Sequence, residues 1–190
     1  MNDSPRSAPP PPENALLGEP PLALYVHLPW CVRKCPYCDF NSHELRGELP
    51  ADEYIDALLR DLEFELPLAW GRVVGSVFLG GGTPSLFRAD QVDRLLSGIR
   101  GRVLLAPDAE ITLEANPGTV EHDSFAAYRA AGVNRVSLGV QSFDDVLLRR
   151  IGRIHGRAEA LSALESIAAS GIDNYNLDLM FALPGQTLAQ

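Results

Sequence analysis

The feature that most constrains this chain is a fivefold alternation of short apolar runs with amphipathic segments. Leu22–Leu28 and residues 73–79, 110–115, 135–140 and 175–181 read as strands by length and composition. Between them, residues 51–66 place Ile55, Leu58, Leu59 and Leu62 on one helical face, and residues 89–99 repeat the pattern. Thr119 is expected to cap a third helix that Gly132 ends, and Ser142-x-x-Asp145 to open a short fourth as a capping box. Residues 158–170 form a fifth helix, closed by Gly171. A strand that reaches its neighbour through a helix returns in the same direction, so the fold class is α/β with a parallel sheet.

The position of the unusual residues chooses between an open sheet and a barrel. Cysteines follow the first strand and Gly80-Gly81-Gly82-Thr83-Pro84 the second; Glu114 and Asn116 end the third, Gln141 ends the fourth, and Asp178 lies in the fifth. A site assembled from several strand ends at once is the arrangement of a βα barrel, whereas an open sheet gathers its ligand at one switch point. The expectation is a partial (β/α) barrel, truncated after about five βα units, over residues 22–190. The rest of the barrel and a C-terminal domain are expected beyond it, and the last strand is expected to leave an exposed sheet edge. Residues 1–21, with Pro9 to Pro12 in a row, read as a disordered proline-rich leader.

Composition narrows the function classes. A formal charge of −9 leaves no basic surplus to neutralise phosphates, which argues against a nucleic-acid binder. No apolar run is long enough to span a bilayer, and no secretory signal opens the chain, so a cytoplasmic location is expected. All three cysteines lie within eight residues. A disulfide framework would spread an even number through the fold; clustered thiols hold metal or do redox chemistry.

The loop is Cys31-Val-Arg-Lys-Cys35-Pro-Tyr-Cys38. Three thiolates on one short loop converge on a soft metal centre, with Pro29 and Pro36 stiffening the loop. Zinc would want a fourth ligand, which His27 or His43 could supply. A four-iron cubane held by three cysteines would keep one iron open. Spacing alone leaves both alternatives standing.

The loop, placed after a first strand and completed by the Gly80–Pro84 turn, resembles the signature of the radical S-adenosylmethionine (SAM) superfamily. The resemblance implies a [4Fe–4S] cluster on Cys31, Cys35 and Cys38, with SAM chelating the open iron. The closer likeness is to the oxygen-independent coproporphyrinogen III oxidase-like branch. Its motifs here are Tyr25-Val-His27-Leu-Pro-Trp30-Cys31, the glycine turn, Leu113-Glu114-Ala-Asn116-Pro117, Gly139-Val-Gln141-Ser-Phe143 and Asp178-Leu-Met-Phe-Ala-Leu-Pro-Gly185. They imply a SAM pocket of Tyr25, Tyr37, Gly81, Gly82, Thr83, Glu114, Gln141, Arg153 and Asp178, with Tyr37 beside the adenine. Each residue type suits its place. Glu114 and Asp178 accept hydrogen bonds from amino or hydroxyl groups, and an acid inside an apolar strand is costly unless paired. Arg153 pairs with a carboxylate, although with Arg149, Arg150 and Arg157 it also reads as a solvated basic face. His27 alternates within the first strand, either as a satisfied core histidine or as a proton shuttle. His122 and His155 read as surface residues.

One position separates the subgroups of the branch. The dehydrogenases carry a further cysteine two residues after the third, together with a longer N-terminal segment, where this chain has Phe40 and a short leader. Cys-Pro-Tyr-Cys-Asp-Phe-Asn-Ser-His resembles instead the heme-chaperone (HemW) subgroup. That likeness implies heme as cargo, heme-accepting proteins as partners, an electron donor for the cluster, and membrane contact only through an acceptor. The dehydrogenase reaction, oxidative decarboxylation of coproporphyrinogen III, stands as the alternative.

Overall fold

The computed structural model describes residues 20–118, 123–188 and 190. Its centre is a five-stranded parallel sheet of β1 (Leu22–Leu28), β4 (Val73–Gly81), β5 (Leu104–Ala115), β6 (Arg135–Gln141) and β7 (Asn174–Leu179), in that spatial order. The helices are α1 (Ala51–Ala69), α2 (Ala89–Arg100), α3 (Phe125–Ala130), α4 (Asp145–Arg150) and α5 (Arg157–Ser170). Each sheet strand lies beside its predecessor, and the order never reverses. Right-handed crossovers that all step the same way leave their helices on one face, as in a barrel wall.

The core confirms that one-sidedness. Val26 and Leu28 of β1, Val77 and Leu79 of β4, Leu113 of β5 and Val136 and Leu138 of β6 form one buried cluster. Ile55 of α1, Leu95 and Ile99 of α2, Phe125 and Tyr128 of α3 and Ile167 of α5 complete it. The alternate residues of the same strands face the other way: Tyr25 and His27, Phe78, Thr112 and Glu114, Ser137, then Asn176 and Asp178. The chain thus has an apolar outer layer under its helices and a polar inner wall.

Several local expectations are corrected. The helix expected from Thr119 starts at Phe125, because the Ser124 side chain caps it by accepting from Ala127 N. Thr119 and His122 themselves lie outside the described residues, as does the leader apart from Pro20 and Pro21. α4 is capped by Asp144, whose carboxylate accepts from Val146 and Leu147 N at 2.8 and 3.0 Å; Ser142 instead accepts from Asp144 N. A carboxylate two residues nearer the helix outcompetes the serine for its orphan donors. β5 begins six residues earlier than expected, since the register against β4 jumps between Val74 and Ser76 and accommodates Pro107. α1 continues through Pro67 to Ala69. β7 is shifted to Asn174–Leu179, leaving Phe181 outside the strand and almost fully exposed. It forms a sheet edge, as anticipated.

A further pair of two-residue strands, β2 (Trp30–Cys31) and β3 (His43–Glu44), lay below the reach of periodicity. These strands clamp the two ends of the cysteine loop together.

Candidate functional site

The cysteine loop is pinned at many points before any ligand is considered. His43 N donates to Pro29 O at 2.7 Å and Leu45 N to Cys31 O at 2.8 Å. Trp30 stands edge-on to Tyr54 of α1, and the Tyr54 hydroxyl donates to His27 O at 3.0 Å. The Lys34 ammonium folds back to donate to both Phe40 O and Ser42 O at 3.0 Å. His27 accepts from the Tyr25 hydroxyl at Nδ1 and donates from Nε2 to Asn41 O at 2.8 Å. With both ring nitrogens engaged, His27 serves as a strut between β1 and the loop.

The glycine turn packs against this loop, and the contact explains its composition. Gly82 N donates to Leu28 O and Thr83 N to Trp30 O, at 2.8 and 2.7 Å. A Cβ on Gly82 would stand 2.5 Å from Trp30 O, and one on Gly81 would stand 2.6 Å from the His27 ring. Gly81 also has φ +119, a conformation that side chains other than hydrogen avoid. Close approach between two backbones therefore demands these glycines, whatever ligand lies beyond them.

An open cleft of about 480 Å³ lies over the polar wall at the carboxyl ends of the strands. Cys31, Cys35 and Cys38 line it, together with Tyr37, Gly81, Gly82, Thr83, Glu114, Gln141, Arg153 and Asp178. Of the expected pocket residues, Tyr25 alone does not line it; its ring stacks beside Phe78 at 6.2 Å on the inner wall. Gln141 reaches the cleft from a left-handed backbone, φ 67, which marks strain of the kind concentrated at functional sites.

Each charged group has a defined hold. Glu114 accepts from Gly81 N at 3.0 Å. Burial raises its pKa, the Gly81 N–H opposes that, and the Asp178 charge adds to it. Asp178 accepts from Ser137 Oγ at 3.1 Å and Asn176 Nδ2 at 2.9 Å. Its residue is exposed, so a burial cost does not explain it: the strand is apolar on one face only, and Asp178 lies on the other. Arg153 follows α4 and turns inward, away from the exposed Arg149 and Arg150. It donates to Asn116 Oδ1 and Gly139 O at 2.5 Å and to Cys35 Sγ at 3.5 Å. Asn116 in turn donates to Thr83 Oγ1 at 3.0 Å, tying two expected pocket residues together. His155, read from sequence as a surface residue, is buried at 4 % exposure with Nε2 on Val140 O at 3.0 Å. A lone histidine between two glycines and arginines carries no periodicity that would reveal this.

The thiols have their own polar surroundings. Burial pushes Cys31 up, and hydrogen bonds from the Thr83 and Ser42 hydroxyls pull it back. Burial also pushes Tyr37 up to about 12, against the pull of Arg153. Ser42 is 2 % exposed, with its hydroxyl 3.9 Å from Cys38 Sγ.

Among the described residues, no three His, Cys, Asp or Glu side chains converge tightly enough to grip a single ion. Three thiols spread around a cleft suit a cluster, whose ligands sit at separate corners of a cube. His27, one proposed fourth ligand for zinc, is committed at both nitrogens. The donor set fits a cluster with an anionic and cationic pocket beside it. Sequence reasoning did not single out Ser42, Lys34, Ser137 or Asn176: isolated polar residues in loops and strands give no signal until their neighbours are known.

Residues 25–190 match the radical SAM superfamily. The chain is 56% identical over 171 residues to the heme chaperone HemW of Escherichia coli (strain K12), covering 90% of this chain and 45% of that protein. It is 51% identical over 175 residues to the heme chaperone HemW of Haemophilus influenzae, covering 90% and 46%. The chain thus spans about half the length of the curated relatives it matches. Among solved structures, coproporphyrinogen III oxidase (HemN) from Escherichia coli, a radical SAM enzyme, superposes with a TM-score of 0.79 at 36% identity, over 88% of this chain and 38% of that one. The [FeFe]-hydrogenase maturase HydG, at 19% identity and TM-score 0.55, shares the fold.

Proposed function

The chain belongs to the radical SAM superfamily, and from that premise we propose that it is the cluster- and SAM-binding part of a heme chaperone. The superfamily's chemistry implies a [4Fe–4S] cluster and SAM. In this reading Cys31, Cys35 and Cys38 would hold three irons of a cluster that, when bound, would supply one-electron reducing chemistry to SAM. The chain's own residues supply the pocket. Glu114, fixed by Gly81 N, accepts from an ammonium group, and Arg153, fixed by Asn116 and Gly139 O, meets a carboxylate. Asp178, oriented by Ser137 and Asn176, accepts from ribose hydroxyls. Tyr37, beside the third cysteine, offers a ring to the adenine.

The observation that carries the chaperone reading is the 56% identity to a heme chaperone, coupled with Phe40 where the dehydrogenases have cysteine. A phenyl ring neither ligates, donates nor transfers a proton, so a site needing that thiol loses its chemistry. Heme is then cargo, passed to acceptor proteins, and no described helix is long and apolar enough to cross a membrane. The likeness to HemN supports the competing reading, coproporphyrinogen III oxidation.

The test uses the whole protein, cluster-loaded and anaerobic, with SAM, a reductant and coproporphyrinogen III. No protoporphyrinogen IX, together with heme binding and transfer to an apo-acceptor, is the expected result. Product over many turnovers overturns the chaperone reading. Restoring the thiol with Phe40→Cys is expected to leave the protein inactive as an oxidase, since one side chain does not rebuild a substrate site.

A further inference from the structure

Ser42 is one of the few polar residues almost completely shielded from solvent, and it sits four residues past the last cysteine. A buried hydroxyl needs a partner for its proton. Its neighbour at the cleft is a sulfur, Cys38 Sγ, at 3.9 Å. The position is built and held. Ser42 N donates to Phe40 O at 2.7 Å, Lys34 Nζ binds the carbonyls on either side of Asn41 at 3.0 Å, and His27 binds the Asn41 carbonyl between them. Three consecutive residues are thus held at their carbonyls, which brings this hydroxyl to the last of the three cysteines.

We infer that the Ser42 hydroxyl donates to the cluster-ligating sulfur of Cys38 and sets the cluster's reduction potential, with Lys34 and His27 as its positioning residues. The inference rests on the cluster reading above. Between thiol and hydroxyl either atom can donate; once the cysteines are thiolates bound to iron, sulfur has no proton and only the serine donates. Adding an electron makes the cluster more negative and strengthens each donor to its sulfurs. A donor at this point therefore favours the reduced state and raises the potential. Arg153 plays the same part at Cys35, but it also belongs to the SAM pocket. Ser42 acts on the cluster alone, which makes it separable by experiment.

The experiment is an EPR-monitored redox titration of the whole protein, reconstituted with iron and sulfide under anaerobic conditions and without SAM. Parent, Ser42→Ala and Ser42→Thr are compared, with iron content and visible absorption measured on each. The expected result is that Ser42→Ala loads iron like the parent, with a reduced-to-oxidised ratio about tenfold lower at the parent's midpoint, a fall of ~59 mV for a one-electron couple. Ser42→Thr, which keeps the hydroxyl, restores the parent value. Loss of iron from Ser42→Ala with full loading of Ser42→Thr overturns the potential-setting role and makes the hydroxyl a requirement of cluster assembly instead. A loaded Ser42→Ala at the parent's potential overturns the inference, as does equal loss of iron from both variants, which would make the position one of packing. A parent that takes up no iron overturns the cluster reading itself.

Discussion

Gly82→Ala tests the contact that joins the glycine turn to the cysteine loop. The new Cβ would stand 2.5 Å from Trp30 O and 2.7 Å from the carbonyl carbons of Pro29 and Trp30, all backbone atoms. A carbon and a carbonyl oxygen meet at ~3.3 Å at the closest, so the two segments must part by about 0.8 Å. No side-chain rotation relieves the clash. Parting strains the hydrogen bonds on either side, Gly82 N to Leu28 O and Thr83 N to Trp30 O. Overpacking a fixed site costs ~1–3 kcal/mol, and each net hydrogen bond weakened adds about 1 kcal/mol. The expected destabilisation is ~3 kcal/mol, a large part of the ~5–15 kcal/mol that holds a domain together. Gly75→Ala is the control, on the same strand: its Cβ would meet only Leu22 O, at an ordinary 3.9 Å. Urea midpoints give the comparison, with iron content after anaerobic reconstitution as a second readout. Gly82→Ala is expected to unfold at markedly lower urea and to load iron poorly, and Gly75→Ala to match the parent in both. A Gly82→Ala protein with the parent's midpoint and iron content would refute the reasoning.

Burial raises the Glu114 pKa above the usual 4.5, so the folded state holds that proton more tightly than the unfolded chain. Stability from this group is present below about pH 4.5 and is lost as pH rises through the raised value. Glu114→Gln, whose amide oxygen still accepts from Gly81 N, is therefore expected to melt higher than the ligand-free parent at pH 7, with the gain shrinking towards pH 4.5 in calorimetry. In the whole cluster-loaded protein the same variant is expected to blunt the change that SAM makes in the cluster's EPR signal, with iron content intact; an undiminished response would remove Glu114 from the pocket. Tyr128→Phe removes a fully buried hydroxyl shared between Ser85 O and Phe87 O, at 2.9 and 2.8 Å. Thermal unfolding is expected to show a loss of about 1–3 kcal/mol, and a loss under 0.5 kcal/mol would show that ~1 kcal/mol per buried bond does not apply here.

What the sequence determined was local and repeated. The strand and helix alternation was legible because a two-residue or 3.6-residue period persists over a whole element, and β1 runs over the expected Leu22–Leu28. The cysteine loop and the glycine turn were legible because their chemistry is contiguous. So was the gathering of Glu114, Gln141 and Asp178 at one end of the sheet, since parallel strands put their carboxyl ends on the same side; Arg153, in the loop after α4, was indicated only by the family resemblance.

Tertiary structure decided what depends on neighbours distant in sequence. His155 is buried because its loop crosses the end of β6, where Val140 O receives it. Asp178 owes its orientation to partners on its own polar face, Ser137 from the next strand and Asn176 two residues before it. Gly82 is required by the Trp30 backbone fifty-two positions earlier, and the Ser42 hydroxyl meets the Cys38 sulfur in a loop that a folded-back Lys34 helps hold. A periodic pattern records which face of an element is apolar. A hydrogen bond between segments depends on register and loop path, which are fixed only when those faces pack together.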